Sequence, residues 1–286
     1  MGKDRGTEEK LSTGGRRRLE SSGAHAYIVA ARAPMPTSRC LCPWEISDPR
    51  SDGIGVSPSQ DELKRAAAEV ALSYVQSGMV LGLGTGSTVR HLLDLLGEAV
   101  RSGRLRDVVC VPTSVQTEVR AEELGIALIG LRERIDLTID GADEVSSGLD
   151  LIKGMGGALL REKMVAQASE HVVIIADESK VVDCLGTVSP LPVEVIEWGL
   201  DTQVRFLEEL GATVAVRRSR DGAPLRSDNG NLFLDCRFPD GIEDPREVEA
   251  RLAARSGIVE SGLFIGIADE ALIASHEGVR IMLRDE

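Results

Sequence analysis

The chain has 286 residues, 42% of them hydrophobic and 28% charged, which is typical of globular proteins and unlike disordered or fibrous chains. That length predicts one large domain or two modest ones. Its 46 acidic residues outnumber 33 basic ones, and the resulting net charge of −13 repels nucleic acid and anionic lipid. No apolar run reaches the roughly 18 residues of a membrane-spanning helix. We therefore expect neither nucleic acid nor membrane as a partner.

The cysteines are odd in number and scattered along the chain, at Cys40, Cys42, Cys110, Cys184 and Cys236. This usage predicts a reducing compartment without a disulfide framework, and we expect a cytoplasmic protein. The pair Cys40 and Cys42 could ligate a metal, but no second ligand pair follows at a suitable spacing. We expect no metal.

Residues 1–56 differ from the rest of the chain. They contain glycine, serine and arginine clusters and no sustained hydrophobic period, which predicts a disordered extension. Acidic residues occur within the first twenty positions, whereas transit peptides are poor in acid. Targeting to an organelle by this segment nevertheless stays open.

Helices and strands alternate from residue 57 onward. Ser57 is predicted to be the N-cap of the first helix, with Pro58 at the first helical position and Gln60 closing a capping box. The pattern then predicts strands at 79–84, 108–111, 126–129, 135–140 and 172–176 and helices at 87–96, 115–124 and 158–169. Such alternation indicates a mostly parallel, Rossmann-like sheet with helices on both faces and ligands at the carboxyl ends of its strands.

The C-terminal third has a different order of elements. Strands at 193–196, 213–216, 232–235 and 257–260 and helices at 202–210 and 245–254 follow the βαββαβ order of a ferredoxin-like fold. Strands at 271–274 and 279–282 would return to the main sheet. We therefore predict a Rossmann-like α/β catalytic domain (57–195 and 263–286) and a small ferredoxin-like α+β domain (196–262).

A glycine-rich loop follows the first predicted strand, with the sequence Gly82-Leu83-Gly84-Thr85-Gly86-Ser87-Thr88. Its glycines permit close approach of a ligand, and the next helix offers free N–H groups to a phosphate. A dinucleotide fingerprint would need glycine at Ser87, and a P-loop would need lysine after Gly86. A purely structural strand-to-helix turn is the alternative.

Three further loops carry charged groups at strand ends. The first contains the acids of Asp140–Glu144, and crowded carboxylates generally raise one another's pKa, which suits acid–base chemistry. A solvated turn is the alternative, whereas a Mg²⁺ site would lack a histidine or further acid at a supporting spacing. In the second loop, Lys153 opens a glycine-rich stretch and could stabilise developing negative charge. Glu162, early in the next helix, could equally compensate the helix dipole. Lys180 follows another strand, and the loops could converge. Dispersed histidines argue against a nucleophilic triad.

These segments resemble ribose-5-phosphate isomerase of the A type. The resemblance rests on Gly82–Thr88, Asp140–Glu144, Lys153–Ala158, Arg161–Lys163, Ser179–Asp183, Pro190–Val195 and Ser227–Asn231, and it runs from about Asp61 to the C-terminus. It implies an aldose–ketose isomerase that interconverts D-ribose 5-phosphate and D-ribulose 5-phosphate through an enediolate, in the non-oxidative pentose phosphate pathway. It also implies that no cofactor is needed, and that the protein is a homodimer or homotetramer.

The resemblance implies a role for individual residues. Glu162 matches the general base, Asp140 and Asp143 match substrate-binding acids, and Lys153 matches the lysine that holds the oxyanion. Because the furanose must open before a carbonyl exists, Asp140 could in addition assist opening of the sugar ring. The implied substrate-binding residues are Lys64, Thr85, Gly86, Ser87, Thr88, Asp140, Gly141, Asp143, Lys153, Gly154, Met155, Gly156 and Lys180. Met155 stands where the family usually has a third glycine, so the sequence leaves the backbone geometry of this loop in question.

Two other functions deserve comparison. An amino-sugar phosphate deaminase or a lactonase on a similar fold would need its own catalytic histidine or acid constellation, which the sequence lacks. A regulatory domain that senses sugar phosphates would carry a helix-turn-helix, and residues 1–56 contain no amphipathic helix pair. The presence of Glu162 also favours an enzyme over a sensor.

Overall fold

The computed structural model describes residues 58–131 and 134–284. The predicted extension (1–56), with Cys40 and Cys42, lies outside the described residues, as does Ser57. The helices are α1 (Gln60–Leu72), α2 (Ser87–Arg101), α3 (Val115–Glu123), α4 (Leu159–Gln167), α5 (Leu200–Glu209) and α6 (Pro245–Ala253). The strands are β1 (Val80–Leu83), β2 (Val109–Pro112), β3 (Ala127–Leu128), β4 (Leu137–Asp140), β5 (Glu144–Ser146), β6 (Leu151–Ile152), β7 (Val172–Asp177), β8 (Val181–Val182), β9 (Leu191–Val195), β10 (Thr213–Val216), β11 (Leu232–Arg237), β12 (Ile258–Ser261), β13 (Leu263–Phe264), β14 (Glu270–Ser275) and β15 (Gly278–Leu283).

The first helix begins two residues later than the sequence predicts. The hydroxyl of Ser59, not Ser57, caps α1 by accepting a hydrogen bond from the backbone N–H of Glu62 at 3.3 Å. The Glu62 carboxylate returns the contact by accepting from the Ser59 N–H at 2.7 Å. Ser57 is followed three residues later by the amide of Gln60 and Ser59 by the carboxylate of Glu62, and a carboxylate is the stronger hydrogen-bond acceptor. Pro58 therefore precedes the cap instead of opening the helix.

The main sheet has seven strands in the order β15-β14-β7-β4-β1-β2-β3. All neighbours pair in parallel except β14 with β15, which form an antiparallel hairpin at the edge. As predicted, the last two strands return to this sheet. The mostly parallel α/β architecture confirms the predicted fold class.

Strand β7 shows why this sheet is covered on both faces. All six of its residues are buried, and successive side chains enter different cores. Val173 and Ile175 pack with residues of α1 and α2, whereas Ile174 packs on the opposite face with Ala166 of α4. A continuous apolar run is thus the pattern that a central strand between two helical layers requires.

A second sheet has the order β10-β11-β9-β12, and every neighbouring pair is antiparallel. With α5 and α6 on one face, this is the ferredoxin-like arrangement predicted for the C-terminal third. Strand β9 belongs to this sheet, although the predicted boundary assigns residues 191–195 to the other domain. The division into domains stays a prediction.

A third, small sheet was not predicted. Its order is β13-β6-β5-β8, and its strands have only two or three residues. Such short strands carry no hydrophobic period of their own. The sheet matters for function because β6 leads directly into Lys153 and β5 follows the acidic loop.

Candidate active site

The first glycine loop follows β1 and leads into α2. At Gly84 a Cβ atom would lie 2.0 Å from Oδ1 of Asp140, so only glycine lets β1 approach the end of β4 this closely. Gly86 is the N-cap residue of α2, with φ +123°, and has no side chain to cap the helix. The first N–H groups of α2 and its positive dipole end are therefore available to an anion.

A cluster of buried hydroxyl groups supports this loop. Oγ1 of Thr85 lies 2.8 Å from both Thr113 Oγ1 and Ser114 Oγ. Thr117 completes the cluster and donates from its hydroxyl to the backbone oxygen of Gly84 at 2.8 Å. Thr85 is a predicted site residue, whereas Thr113, Ser114 and Thr117 were not predicted. The available signal was Thr113-Ser114 between β2 and α3, where Ser114 caps α3.

The centre of the site is a buried lysine between two carboxylates. Nζ of Lys153 lies 3.0 Å from Asp140 Oδ2 and 3.0 Å from Glu162 Oε1, and the three side chains are only 4–5% exposed. The same nitrogen donates to the backbone oxygen of Gly141 and lies 5.4 Å from the centre of the Phe264 ring. Lys153 directly follows β6, Asp140 is the last residue of β4, and Glu162 lies in the first turn of α4.

The single ammonium of Lys153 cannot fully neutralise both carboxylates at so deeply buried a site. Burial raises the pKa of Glu162 to about 8, Lys153 opposes this rise and Asp140 adds to it. Burial alone would lower the pKa of Lys153, but Asp140 and Glu162 outweigh it and raise that pKa well above its ordinary value. Burial also raises the pKa of Asp143, and this effect outweighs the lowering by the Met155 N–H and by nearby cations. The site thus holds a carboxyl group able to gain or lose a proton near neutral pH.

These groups surround a cavity of about 130 Å³. It is lined by Lys64, Thr85, Gly86, Ser87, Thr88, Gly141, Ala142, Asp143, Lys153, Gly154, Gly156, Glu162 and Lys180. The four loops singled out in the sequence therefore meet at the carboxyl edge of the main sheet. Ala142 is the one lining residue that the sequence did not single out.

Two predicted site residues do not line the cavity. Asp140 is 3% exposed, and its Oδ1 accepts hydrogen bonds from the N–H groups of Thr85 and Gly141 while Oδ2 faces Lys153. Met155 is 41% exposed and its backbone φ is not positive, unlike those of Gly154 and Gly157. The side chain at position 155 therefore imposes no backbone strain on the loop.

Neither a membrane-spanning helix nor a metal cluster occurs among residues 58–131 and 134–284. No helix there combines the length and the apolar character needed to cross a membrane. In the same residues no group of three or more His, Cys, Asp or Glu side chains is arranged to hold a metal ion.

Comparisons with known proteins agree with this site. The model of the family Ribose 5-phosphate isomerase A (phosphoriboisomerase A) matches residues 109–278. A ribose-5-phosphate isomerase A from Desulfatibacillum aliphaticivorans is 48% identical over 226 residues, covering 78% of this chain and 98% of that protein. The protein of that name from Chloroflexus aurantiacus is 49% identical over 224 residues, covering 78% and 93%.

Solved structures extend the likeness to the fold. Ribose 5-phosphate isomerase from Plasmodium falciparum is 40% identical with a TM-score of 0.76, over 79% of this chain and all of that one. A D-ribose-5-phosphate isomerase in complex with phospho-erythronic acid is 38% identical with a TM-score of 0.78, over the same shares. Fold and sequence together define an aldose–ketose isomerase. The chain belongs to the ribose-5-phosphate isomerase A family, whose reaction interconverts ribose 5-phosphate and ribulose 5-phosphate, as the sequence predicted.

Proposed function

We propose that the cavity binds ribose 5-phosphate and that Glu162 moves the proton between C2 and C1. The observation that carries this proposal is the buried Glu162 carboxylate beside the Lys153 ammonium, 3.0 Å apart, on the cavity wall. A carboxyl group whose pKa burial raises to about 8 is a stronger base than an ordinary glutamate.

The phosphate would lie at the start of α2. Thr85, Ser87 and Thr88 offer hydroxyl and backbone donors there, and Lys64 and Lys180 supply positive charge on the same wall. Local cations are needed because the protein as a whole carries a net charge of −13. Binding energy from the phosphate, which does not react, would orient the sugar carbons towards Glu162.

The proton transfer proceeds through an enediolate. Glu162 removes the proton from C2 of the open-chain aldose, and the electrons of that C–H bond form the C1–C2 double bond as O1 becomes anionic. The Lys153 ammonium and N–H groups of the 154–156 loop stabilise this oxyanion. Glu162 then returns the proton to C1 while the O2 hydroxyl proton passes to O1, which leaves the ketone at C2.

Ring opening requires a second acid, and the geometry favours Asp143 over Asp140. Asp143 lines the cavity, and burial raises its pKa, so its carboxyl group can exchange a proton with the furanose. The Asp140 oxygens are engaged by backbone N–H groups and by Lys153. Asp140 would therefore act by holding Lys153, instead of assisting ring opening as the sequence suggests.

We further propose a cytoplasmic homodimer or homotetramer. Free thiols at Cys110, Cys184 and Cys236 support a reducing compartment. The family resemblance supports the assembly, and light scattering during size-exclusion chromatography would measure it. A monomer at working concentration would contradict this part of the proposal.

The central test is ketose formation from ribose 5-phosphate by the purified full chain in EDTA. We expect wild-type turnover, and about a 10²–10⁴-fold loss of kcat in Glu162→Gln, the usual contribution of a positioned general base. Glu98→Gln, which changes an exposed glutamate of α2, is the matched control and should keep wild-type kcat. Full activity in Glu162→Gln would reject the assigned base, and a wild-type chain that binds the sugar without turnover would favour the sensor.

A further inference from the structure

An arginine of the ferredoxin-like sheet reaches the catalytic glycine loop. Arg217 follows β10, and its backbone N–H donates to the Phe233 oxygen at 2.9 Å. Its own backbone oxygen accepts from the N–H of Leu225 at 2.9 Å. The main chain at Arg217 is thus fixed on both sides, and its side chain, only 9% exposed, extends out of the small sheet.

Two residues of β11 orient this side chain. Nε of Arg217 donates to the Asp235 carboxylate at 3.0 and 3.1 Å, and the guanidinium lies 4.9 Å from the centre of the Phe233 ring. Phe233 and Asp235 are two positions apart and share one face of the strand, whereas Leu232 and Leu234 pack into the core beneath α5 and α6. One face of β11 therefore packs into the core beneath α5 and α6, and the other face contacts Arg217.

The far end of the guanidinium binds the backbone of the glycine loop. Nη1 of Arg217 donates to the Gly154 oxygen at 2.9 Å and to the Met155 oxygen at 3.2 Å. On the other side of the loop, the Met155 N–H donates to Oδ2 of Asp143 at 2.9 Å. The peptide between Gly154 and Met155 is thereby held at both its oxygen and its nitrogen.

These contacts determine where the next peptide points. In a trans peptide the N–H is directed opposite to the C=O. Because the Met155 oxygen faces Arg217, the Gly156 N–H is directed away from Arg217, and Gly156 lines the cavity. Gly156 and Lys153 line the same cavity, and an oxyanion bound there would need a donor of this kind.

We propose that Arg217 is a positioning residue for the isomerisation, which holds residues 154–156 so that the loop presents an N–H group to the enediolate oxygen. This inference rests on the proposed function. Arg217 contacts carbonyl oxygens of the loop and acts on the reacting site only through them. It also makes the ferredoxin-like sheet a structural support of catalysis.

The test compares Arg217→Met, Arg217→Lys and a matched control. Arg255→Met is the control because Arg255 also lies over an aromatic ring, Phe206, at 4.8 Å and hydrogen-bonds to Gln203 at 3.1 Å, but outside the cavity wall. We expect Arg217→Met to lower kcat about tenfold to a hundredfold with KM within about threefold, since a misplaced donor is felt in the transition state. Arg217→Lys should recover part of kcat, because lysine restores the charge without the planar fork. Arg255→Met should keep wild-type kcat.

Ligand binding separates positioning from a general loss of structure. Phospho-erythronic acid carries a carboxylate at the end of the molecule remote from its phosphate, whereas inorganic phosphate probes only the anion site at α2. Measured by calorimetry, the dissociation constant of phospho-erythronic acid should rise about tenfold in Arg217→Met, whereas that of inorganic phosphate should stay within about twofold of wild type. Equal weakening of both ligands would overturn the inference, as would kcat within twofold of wild type in a folded Arg217→Met.

Two further measurements keep the outcomes distinct. If Arg217→Met does not fold, Arg217→Lys and Asp235→Asn must show the same difference between kcat and KM, and unchanged kcat in both would refute the inference. Wild type and Glu162→Gln are assayed in the same series. Failure of the proposed function appears as activity in Glu162→Gln, whereas failure of the present inference appears only in the Arg217 and Asp235 variants.

Discussion

Nζ of Lys153 lies 3.0 Å from Oε1 of Glu162, and both side chains are buried to at least 95%. The same ammonium is shared with Asp140 at 3.0 Å, so two acids compete for one cation. Asp140 also accepts hydrogen bonds from the backbone N–H groups of Thr85 and Gly141, which hold its carboxylate in place. Glu162 is the one of the two acids that lines the cavity, and burial raises its pKa.

The pH dependence of turnover follows from that pair. Since Glu162 must be ionised to remove a proton and burial raises its pKa to about 8, kcat/KM should rise with pH through an apparent pKa far above that of an ordinary glutamate. Initial rates with ribose 5-phosphate between about pH 5 and about pH 9.5 would measure it. A kcat/KM already constant from about pH 6 upward would contradict this assignment.

The same shift predicts a pH-dependent cost in stability. The pKa of Glu162 rises from 4.5 to about 8 on folding, so its contribution to the free energy of unfolding is complete below 4.5 and is lost as pH rises through about 8. Wild type should therefore lose stability relative to Glu162→Gln over that interval. Urea unfolding of both proteins at several pH values measures the difference. Glu98→Gln should follow the wild type, and a parallel course for Glu162→Gln would contradict the prediction.

The sequence predicted the architecture where a pattern extends over a whole element. The unbroken apolar run of β7 predicts a strand buried on both faces, and the alternation of elements predicts a parallel sheet whose loops meet at one edge. The short strands β5, β6, β8 and β13 were not predicted, because two or three residues are too few to show a hydrophobic period.

Local patterns indicated the loops that line the cavity, and the family resemblance supplied individual residues such as Lys64, but neither predicted contacts over long distances. Loop glycines and strand-end charges are visible in order along the chain. The contact of Arg217 with Gly154 joins residues 63 positions apart, and no local pattern encodes it. Similarly, no local pattern shows that Asp140 contacts Lys153 without lining the cavity.

The close approach at Gly84 predicts a severe effect for a single added methyl group. In Gly84→Ala the new Cβ would lie 2.0 Å from Oδ1 of Asp140 and 2.6 Å from its Cα, and a backbone atom cannot move aside as a flexible side chain can. We expect the free energy of unfolding to fall by about 3 kcal/mol, the upper part of the range for overpacking, together with loss of turnover. Gly148→Ala is the matched control, because no atom lies within 4 Å of its added Cβ and its φ is not positive. Equal stability of the two variants in urea would contradict this reading of the loop.

Lys180 offers a test of how the phosphate is held. Lys180 lines the cavity together with Lys64. Because the protein has a net charge of −13, it repels an anionic substrate, and the Lys180 ammonium offsets this repulsion equally in the bound substrate and in the transition state. Such uniform binding lowers KM without raising kcat. Lys180→Met should therefore raise KM for ribose 5-phosphate about tenfold with kcat within about twofold, and wild-type KM should depend more strongly on ionic strength than that of the variant. Arg104→Met, which removes an exposed positive charge outside the cavity wall, should leave both constants unchanged. A fall in kcat at constant KM in Lys180→Met would instead place this ammonium beside the reacting carbons.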